Sequence, residues 1–395
     1  MRRVVITGLG AVTSLGRSRE TTWYAMLEGR DGLGPLTRLH LPAEPAQLAG
    51  QIAWSEPRVK RQTLCETWSR VALAEALDGW RPALEGPRMG VFQGAGTSGL
   101  PIPEAYLAAL RDGLPAPRMA EAAYQSPCTV TDALAAVVGA EGPRSTIMNA
   151  CSSSLLALGQ AWERIAGGEL DLAIAGGAES LCTMTWGGFS SLKAMDPLPS
   201  RPFSRDRAGL NLGEAAVQFL LEPLEQAQAR GAVIFAEVLG YGASLDAHHP
   251  TAPHPEGDGA RRAMAQALEM GRLDASEVDL VSAHGTATPA NDGAECKAIR
   301  AALGAAAEAV SVTSSKSQFG HTLGAAGAAG AMVAALALRD QVVSPTLRLE
   351  EPDPDCDLDC TPKLAKERAL RAALVNAFAF GGNNVSLALK RWEGR

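Results

Sequence analysis

STIMNACSSSLLALGQAWERIAG, residues 145–167, combines a β-rich run, a turn of small polar residues and an apolar helical pattern. It predicts a strand over Ser145–Asn149 and a helix over Leu155–Gly167, with Cys151 in the turn between them. A thiol there faces the unpaired N–H groups of a helix start, which should lower its pKa and favour the thiolate. The same N–H groups could bind the oxyanion of a thioester under attack. On this local evidence Cys151 is either a nucleophile or a buried structural cysteine.

The alternation of apolar runs with Ala- and Leu-rich stretches continues along the chain and predicts an α/β fold with buried strands. Further strands are expected at Arg3–Thr7, Met89–Gln93, Leu172–Gly176, Val217–Leu221, Val233–Leu239, Leu280–Ala283, Val310–Thr313, Ala373–Ala377 and Val385–Leu389. Further helices are expected at Glu66–Leu77, Glu256–Met270, Gly293–Leu303 and Gly324–Arg339. The segment Asp196–Asn211, rich in proline and charge, is expected to be an exposed loop.

Two pairs of similar segments indicate an internal duplication. Residues 310–334, VSVTSSKSQFGHTLGAAGAAGAMVA, repeat the order of β-rich run, small polar turn and small-residue helix found at 145–167. Residues 4–16, VVITGLGAVTSLG, are echoed by 234–246, IFAEVLGYGASLD. Both pairs place a midpoint near residue 230. We therefore expect an N-terminal half, 1–230, that carries Cys151, and a C-terminal half, 231–395.

Composition excludes several classes of protein. Of the 395 residues 46% are hydrophobic, which supports a large core and excludes general disorder. The formal charge is 36 − 43 = −7, which argues against binding of nucleic acid or an anionic membrane. The first apolar run is too short for a signal peptide, and no window reads as a membrane span, so a cytoplasmic protein is expected. The seven scattered cysteines are expected to be reduced, and Cys356 and Cys360 lack the partners of a zinc site, so no metal is expected.

Two histidines stand where a strand ends or a helix begins. His284 follows the apolar run DLVS, and His321 lies five residues after Lys316 in SSKSQFGHTLGAAG. A helix dipole would keep such an imidazole neutral, and a neutral imidazole can hydrogen-bond a developing negative charge. Glu295 could neutralise Lys316. Taken singly, each histidine is more often structural, and the Glu295–Lys316 pair could be an ordinary surface ion pair.

Two glycine-rich segments have ordinary explanations. GLGAVTSLG, residues 8–16, lacks the spacing of a dinucleotide-binding turn, and no acidic residue ends a second strand about twenty residues later. FGGNN, residues 380–384, could be a simple hairpin between two strands. No organic cofactor is expected.

Four motifs together resemble a known family. NACSSS, AHGTATPAND, SSKSQFGHTLGAAGA and AFAFGGNN occur in the order and approximate spacing of the elongation-type β-ketoacyl-acyl carrier protein synthases, the Cys-His-His condensing enzymes. RPFSRDRAGLNLGEAA and DLAIAGGAES are similar to the intervening segments of the same family. The resemblance covers essentially the whole chain. It implies a thiolase-like fold, a five-layered α/β/α/β/α sandwich of two pseudo-duplicated halves, acting as a homodimer.

The resemblance also implies a role for each motif residue. Cys151 would accept the acyl group, His284 and His321 would be the paired imidazoles, and Lys316 would be the charge beside them, held by Glu295. The remaining roles are a gating side chain and second oxyanion N–H (Phe380), a glycine pair that binds substrate (Gly381, Gly382), two contacts to the pantetheine arm (Thr286, Thr288) and two basic carrier-docking positions (Lys193 and, less directly, Arg61).

The implied reaction is a decarboxylative Claisen condensation of malonyl-carrier with an acyl-enzyme thioester in fatty-acid chain elongation. Its partners would be an acyl carrier protein bearing 4′-phosphopantetheine, malonyl and acyl thioesters, and a second copy of the chain. The alternative is a ketosynthase of a dedicated polyketide or aryl polyene pathway, paired with a chain-length-factor subunit. A thiolase would need a second cysteine near the C-terminus, and residues 380–383 contain none. FGGNN in place of FGGTN, and Gly-Glu-Ala at Glu214, depart from the family pattern.

Overall fold

The computed structural model describes residues 1–39, 41, 47–56, 62–80, 88–98, 100–115 and 126–394. Its strands are β1 (Val4–Thr13), β2 (Gly34–Pro35), β3 (Leu48–Ala49), β4 (Met89–Gly94), β5 (Arg144–Ile147), β6 (Leu172–Glu179), β7 (Ala215–Pro223), β8 (Ala236–Leu245), β9 (Val278–Ser282), β10 (Ser311–Thr313), β11 (Val342–Val343), β12 (Lys366–Glu367), β13 (Ala372–Ala379) and β14 (Asn383–Lys390). Its helices are α1 (Arg19–Leu27), α2 (Leu64–Leu77), α3 (Pro101–Arg111), α4 (Cys128–Val138), α5 (Ser153–Ala166), α6 (Thr183–Ser191), α7 (Leu224–Ala229), α8 (Asp258–Gly271), α9 (Pro289–Leu303), α10 (Lys316–Phe319) and α11 (Ala326–Asp340).

Ten strands form one continuous sheet with a repeated internal order. The strands run β10-β9-β13-β14-β8-β1-β7-β6-β4-β5, and only the short β1–β8 pairing, Val4–Ile6 against Ala236–Val238, joins the two five-stranded parts. In each part an antiparallel pair precedes three strands that run parallel to one another. Thus β1, β4, β5, β6 and β7 correspond in order and direction to β8, β9, β10, β13 and β14. The arrangement agrees with an internal duplication, and a boundary near residue 230 remains our proposal.

Helices cover both faces of both sheet parts. α5 and α11 pack against each other and contact strands of both parts, so they form the middle layer, whose core includes Trp23, Leu158 and Leu336. α2 and α4 cover the outer face of the first part, and α8 and α9 cover that of the second. Because both faces are covered, β6 and β7 are buried at every position and read as apolar runs instead of alternating. The predicted five-layered thiolase-like α/β fold is confirmed.

Two expectations need correction. Asp196–Asn211 is irregular, but half of its residues are buried: Phe203 is fully inside and Ser200 and Asn211 are nearly so. Buried polar groups satisfy its backbone: Ser200 N–H donates to Asn211 Oδ1 at 2.7 Å and Phe203 N–H donates to Asp292 Oδ2 at 2.8 Å. Leu323–Asp340, moreover, has the length and apolar composition of a membrane-crossing helix, but 89% of it is buried within the protein, as expected for a core helix.

Helix prediction was less complete than strand prediction. The five predicted helices are present, with starts that lie up to four residues from the predicted ones. α1, α3, α4, α6 and the short α10 were not predicted. α6, TMTWGGFSS, contains two glycines and lacks the apolar stripe that identifies a helix in sequence. α3, PIPEAYLAALR, is amphipathic in sequence but buries none of its residues.

Candidate active site

Cys151 occupies a tight turn between a sheet edge and the middle layer. It lies in the 3₁₀ turn Ala150–Ser152 that leads from β5 into α5, and Ala150 before it has φ +48°. Side chains brace the turn: Asn149 Nδ2 donates to Ser152 Oγ at 2.9 Å, and Ser153 Oγ donates to Ala150 O at 2.6 Å. The turn therefore holds the thiol at the head of α5, where the sequence placed it.

The small residues around Cys151 are required by close backbone approaches. A Cβ on Gly94 would lie 2.2 Å from the backbone N of Ser154, and one on Gly327 would lie 2.5 Å from Leu155 Cβ. Ser154 Oγ in turn accepts a hydrogen bond from Ala328 N–H at 2.9 Å. These contacts bring α5 and α11 together, so the halves of the chain meet at the thiol.

The pKa of Cys151 moves in the opposite direction to the expectation. Burial raises the pKa of its thiol to about 12, because the thiolate loses solvation. The positive charge of Lys316 and the N–H groups of Cys151 and Phe380 oppose this rise. The predicted fall of the thiol pKa is therefore wrong for the protein without a bound ligand. The two N–H groups nevertheless point at the sulfur, in the arrangement that an oxyanion hole needs.

His284 and His321 face each other beside this thiol. Their ring centroids are 5.4 Å apart at 85°, and both side chains are almost fully buried. Burial, assisted by the charge of Lys316, lowers both histidine pKa values well below 6.5, so both imidazoles are neutral at neutral pH. Leu323 N–H donates to His321 Nδ1 at 3.1 Å, which leaves the proton of the neutral ring on Nε2. His284 Nδ1 has no partner within the described part of the chain.

Glu295 and Lys316 both act on the His284 loop but do not pair with each other. Glu295 accepts from the N–H groups of His284 and Gly285 at 2.8 and 2.7 Å, while Lys316 Nζ donates to His284 O. No Glu295–Lys316 contact is among the ion pairs of the residues described, so the expected direct pairing is wrong. Their charges still interact, since Glu295 opposes the burial that lowers the pKa of Lys316 to about 8.

Phe380 separates two cavities that both reach Cys151. Its ring stacks on Phe189, with centroids 5.4 Å apart and planes at 21°. A cavity of about 260 Å³ contains both histidines and opens outward, and a second one of about 340 Å³ is lined mainly by apolar groups, including Leu323. The rings of Phe189 and Phe380 line both cavities. The stacked pair of Phe189 and Phe380 therefore lies between the two cavities.

The turn that carries Phe380 depends on its two glycines. Gly381 and Gly382 have φ +83° and +76°, and a Cβ on Gly382 would lie 2.8 Å from Asp246 Cβ. Gly382 O accepts from Asp246 N–H at 2.8 Å, and Asn384 Nδ2 donates to Asp246 Oδ1 at 2.7 Å. The turn is thus attached to the end of β8.

The remaining predicted residues are divided between the cavity and the surface. Thr286 and Thr288 line the outward cavity, and their hydroxyls are 2.9 Å apart. Lys193 is exposed at the mouth of the same cavity. Arg61 lies outside the described residues. In the described ranges no group of three or more potential ligands is placed to hold a metal ion.

Sequence reasoning missed three side chains around the site, of which only Glu179 is fully buried. Phe189, Asp246 and Glu179 were not singled out, although each contacts a segment that carries a predicted residue. The only available signal for Glu179 was a carboxylate at the end of an apolar strand, in AGGAES. Such a carboxylate is found inside only when it is well hydrogen-bonded.

Known proteins are similar to this chain over nearly its whole length. The family models described as beta-ketoacyl synthase, N-terminal domain, and beta-ketoacyl synthase, C-terminal domain, match residues 1–227 and 235–350. A curated relative from Synechocystis sp., named 3-oxoacyl-[acyl-carrier-protein] synthase 2, is 37% identical over 410 residues, with 99% of each chain covered.

Two solved structures are similar over nearly the whole chain. The ishigamide ketosynthase/chain length factor superposes with a TM-score of 0.94 at 34% identity, covering 99% of both chains. A ketosynthase bound to the hexaketide, in complex with its type II PKS acyl-carrier protein, superposes with a TM-score of 0.92 at 29% identity, covering 99% of this chain and 100% of the other.

Proposed function

The chain belongs to the β-ketoacyl synthase family, and from this premise we propose that it elongates carrier-bound acyl chains with Cys151 as its nucleophile. It is a condensing acyltransferase, and its partners are an acyl carrier protein with malonyl and acyl thioesters. One observation carries the assignment of roles: a buried thiol with two backbone N–H groups at its sulfur shares a cavity with two neutral imidazoles. The first pair suits an acyl-transfer oxyanion, and the second suits an enolate.

In the first half-reaction the acyl group moves to Cys151. The sulfur attacks the thioester carbonyl of the acyl-carrier, and the N–H groups of Cys151 and Phe380 stabilise the tetrahedral oxyanion. Collapse breaks the carbonyl–sulfur bond of the carrier, and the thiol proton passes to the leaving carrier thiolate. Because the resting thiol has a raised pKa, this proton leaves during the attack and not before it.

In the second half-reaction malonyl-carrier loses CO₂ in the same cavity. The bond between its carboxylate carbon and C2 breaks, and the electron pair forms the enolate of the remaining acetyl thioester. His321 donates its Nε2–H to the enolate oxygen, since Nδ1 is occupied by Leu323 N–H, and His284 lies opposite as the second imidazole. A neutral donor in a site that excludes water stabilises this charge more than water would.

Condensation then joins the two substrates. C2 of the enolate attacks the acyl carbonyl on Cys151, the oxyanion forms again between the two N–H groups, and the Cys151 thiolate leaves. The product is a β-ketoacyl-carrier two carbons longer, and the thiolate takes up one proton. The apolar cavity behind Phe380 and Phe189 holds the acyl tail during these steps.

We assign the chain to fatty-acid elongation in the cytoplasm, supported by the name of the Synechocystis relative. A second candidate pathway is supported by the structural likeness to a ketosynthase/chain length factor pair. In that case the same chemistry would extend a polyketide or aryl polyene, with a non-identical subunit beside this chain.

Intact-mass spectrometry after incubation with a set of acyl-carriers tests the function and separates the two pathways. Stable acylation by saturated chains, with this chain alone, is expected for fatty-acid elongation. Acylation should be absent in Cys151→Ala and normal in Cys128→Ala, which alters the exposed cysteine. Acylation only by unsaturated chains, and only with a second subunit, would establish the second candidate. No acylation under any condition would refute the function.

A further inference from the structure

Glu179 is a fully buried carboxylate that the reaction described above does not use. It ends β6, and none of the ion pairs of the described residues includes it. Its oxygens instead accept five hydrogen bonds. The donors are Gly96 N (2.7 Å), Thr97 N (2.9 Å), Thr97 Oγ1 (2.7 Å), Ser98 N (2.9 Å) and Gly324 N (3.2 Å). Because four of the five are N–H groups, which can only donate, they favour the ionised carboxylate, although burial raises its pKa.

These donors belong to two segments that are far apart in sequence. Residues 96–98 follow β4, and Gly324 lies in the 3₁₀ turn Leu323–Ala325 that precedes α11. Gly96, Thr97, Leu323 and Gly324 all line the apolar cavity next to Cys151. A Cβ on Gly96 or Gly324 would lie 2.4 or 2.9 Å from Glu179 Oε2. The glycines thus allow the carboxylate to reach both walls of the cavity.

The turn held by Glu179 also determines the tautomer of His321. Leu323 N–H donates to His321 Nδ1, and the next amide, Gly324 N–H, donates to Glu179 Oε2. Two successive amides of one turn therefore connect the carboxylate to the imidazole. If the second amide loses its acceptor, the turn is free to rotate and the first amide no longer fixes the imidazole.

We propose that Glu179 is a positioning residue that holds His321 as the Nε2–H donor and fixes the wall of the acyl cavity. The inference rests on the proposed function, because it assigns a second support to the same decarboxylation site. Glu179 also lies close enough to Cys151 for its negative charge to disfavour the thiolate, in opposition to Lys316. Removal of that charge should therefore change the two half-reactions in opposite directions.

Glu179→Gln is the variant that separates this role from simple packing. Its one amide oxygen can serve the three donors of Thr97 and Ser98, which leaves its NH₂ group facing the N–H groups of Gly96 and Gly324. CO₂ release from malonyl-carrier should fall about tenfold, less than the roughly 10²–10³ for loss of a whole donor. The pH profile for alkylation of Cys151 should shift to lower pH. In a His321→Ala background the substitution should cause no further loss of CO₂ release.

Glu222→Gln is the matched control. Glu222 is a buried carboxylate of β7 that pairs with Arg230, remote from the cavities. The Glu222→Gln variant should leave CO₂ release and the pH profile for alkylation of Cys151 unchanged, even if its thermal stability changes. Equal losses in both variants, an unshifted alkylation profile, or wild-type CO₂ release in Glu179→Gln would overturn the inference. If the wild-type protein releases no CO₂, the proposed function fails instead.

A milder variant decides the matter if Glu179→Gln does not fold. Thr97→Val removes one hydroxyl donor and keeps the shape of the side chain. It should reduce CO₂ release about threefold, because only one of the five hydrogen bonds to the carboxylate is lost. Its self-acylation should be normal. Wild-type CO₂ release in a folded Thr97→Val protein would contradict the inference.

Discussion

Cys151, His284 and His321 share one buried cavity, and burial changes their pKa values in opposite directions. It raises the pKa of the thiol and lowers those of the imidazoles, because each group is favoured in its neutral form. The resting site therefore holds a thiol and two neutral rings beside the charge of Lys316. In these protonation states the two histidines can donate hydrogen bonds. Because both imidazoles are neutral, neither attracts the malonyl carboxylate by its charge.

The low histidine pKa values predict a pH-independent decarboxylation. Protonation would place a hydrogen on His321 Nδ1, which now accepts from Leu323 N–H, so only the neutral ring fits. Because both histidine pKa values lie well below 6.5 and Lys316 is protonated below its pKa of about 8, the rate of labelled CO₂ release should be constant from about pH 7 to about pH 6 and should fall only below that range. A half-maximal rate near pH 6.5, with the fold intact by circular dichroism, would show that a histidine titrates normally.

Sequence motifs located these residues but could not determine their environment. Cys151, Lys316 and the two histidines, His284 and His321, were found from local pattern, and the structure brings them together. The sign of the thiol pKa shift was missed because desolvation depends on the elements that cover the turn. Glu179 was missed because its donors Gly96 and Gly324 lie 83 and 145 residues away in the chain.

At the scale of elements, the Gly381–Gly382 turn places the Phe380 N–H and ring, and Gly382→Ala tests it. The added Cβ would lie 2.8 Å from Asp246 Cβ at φ +76°, so stability should fall by about 1–3 kcal/mol. Self-acylation should slow at least tenfold because the Phe380 N–H moves. The control is Gly79→Ala, with the same φ of +76° and no atom within 4 Å of the added Cβ. Melting temperatures of both variants report the change in stability. Equal acylation rates in the two variants would show that the turn does not contribute to acyl transfer.

Helices and strands were predictable where burial produces a recognisable pattern of apolar residues in the sequence. The central strands were found because both faces are covered, and α5 and α11 because they are long and apolar. β1 continues to Thr13, well beyond the predicted end, because its glycines allow helix α2 to approach: a Cβ on Gly10 would lie 1.9 Å from Ala72 O. A glycine in a sequence usually indicates a turn, whereas the glycines of β1 permit a close contact between the strand and α2.

At the scale of the whole molecule, the exposed Lys193 at the cavity mouth should attract an acidic carrier. Lys193→Glu should slow carrier-dependent turnover several-fold and weaken its dependence on salt, because long-range attraction becomes repulsion. Reaction with a small acyl thioester should be nearly unchanged. Lys366→Glu, the same charge change on β12 away from the cavity lining, is the control for net charge. If both substrates are slowed equally by Lys193→Glu, the residue supports the cavity and does not dock the carrier.

The sheet edges predict where two chains associate. The outer edge of β10 is covered, since Val312 N–H donates to Asp359 O at 2.7 Å, whereas β5 pairs only with β4 among the described strands. Met148 beside β5 is 60% exposed. Pairing of β5 with a partner strand should give a dimer near twice 41.1 kDa in sedimentation at micromolar concentration.

Two substitutions locate this interface. Met148→Asp should shift the chain towards monomer, and Met270→Asp, on the exposed end of α8, should not. A fully active monomer would exclude the β5 interface. A requirement for a different second chain would instead favour the polyketide or aryl polyene pathway.

The central claim is a division of labour between Cys151 and His321, and parallel measurement of acyl-enzyme mass and labelled CO₂ tests it most directly. Cys151→Ala should abolish self-acylation and condensation while CO₂ release from malonyl-carrier stays measurable. His321→Ala should still be acylated on Cys151 but lose roughly two to three powers of ten in CO₂ release, as for removal of an oxyanion donor. If His321→Ala instead blocks acylation and releases CO₂ at the wild-type rate, the histidine is the base for the cysteine and the account is wrong.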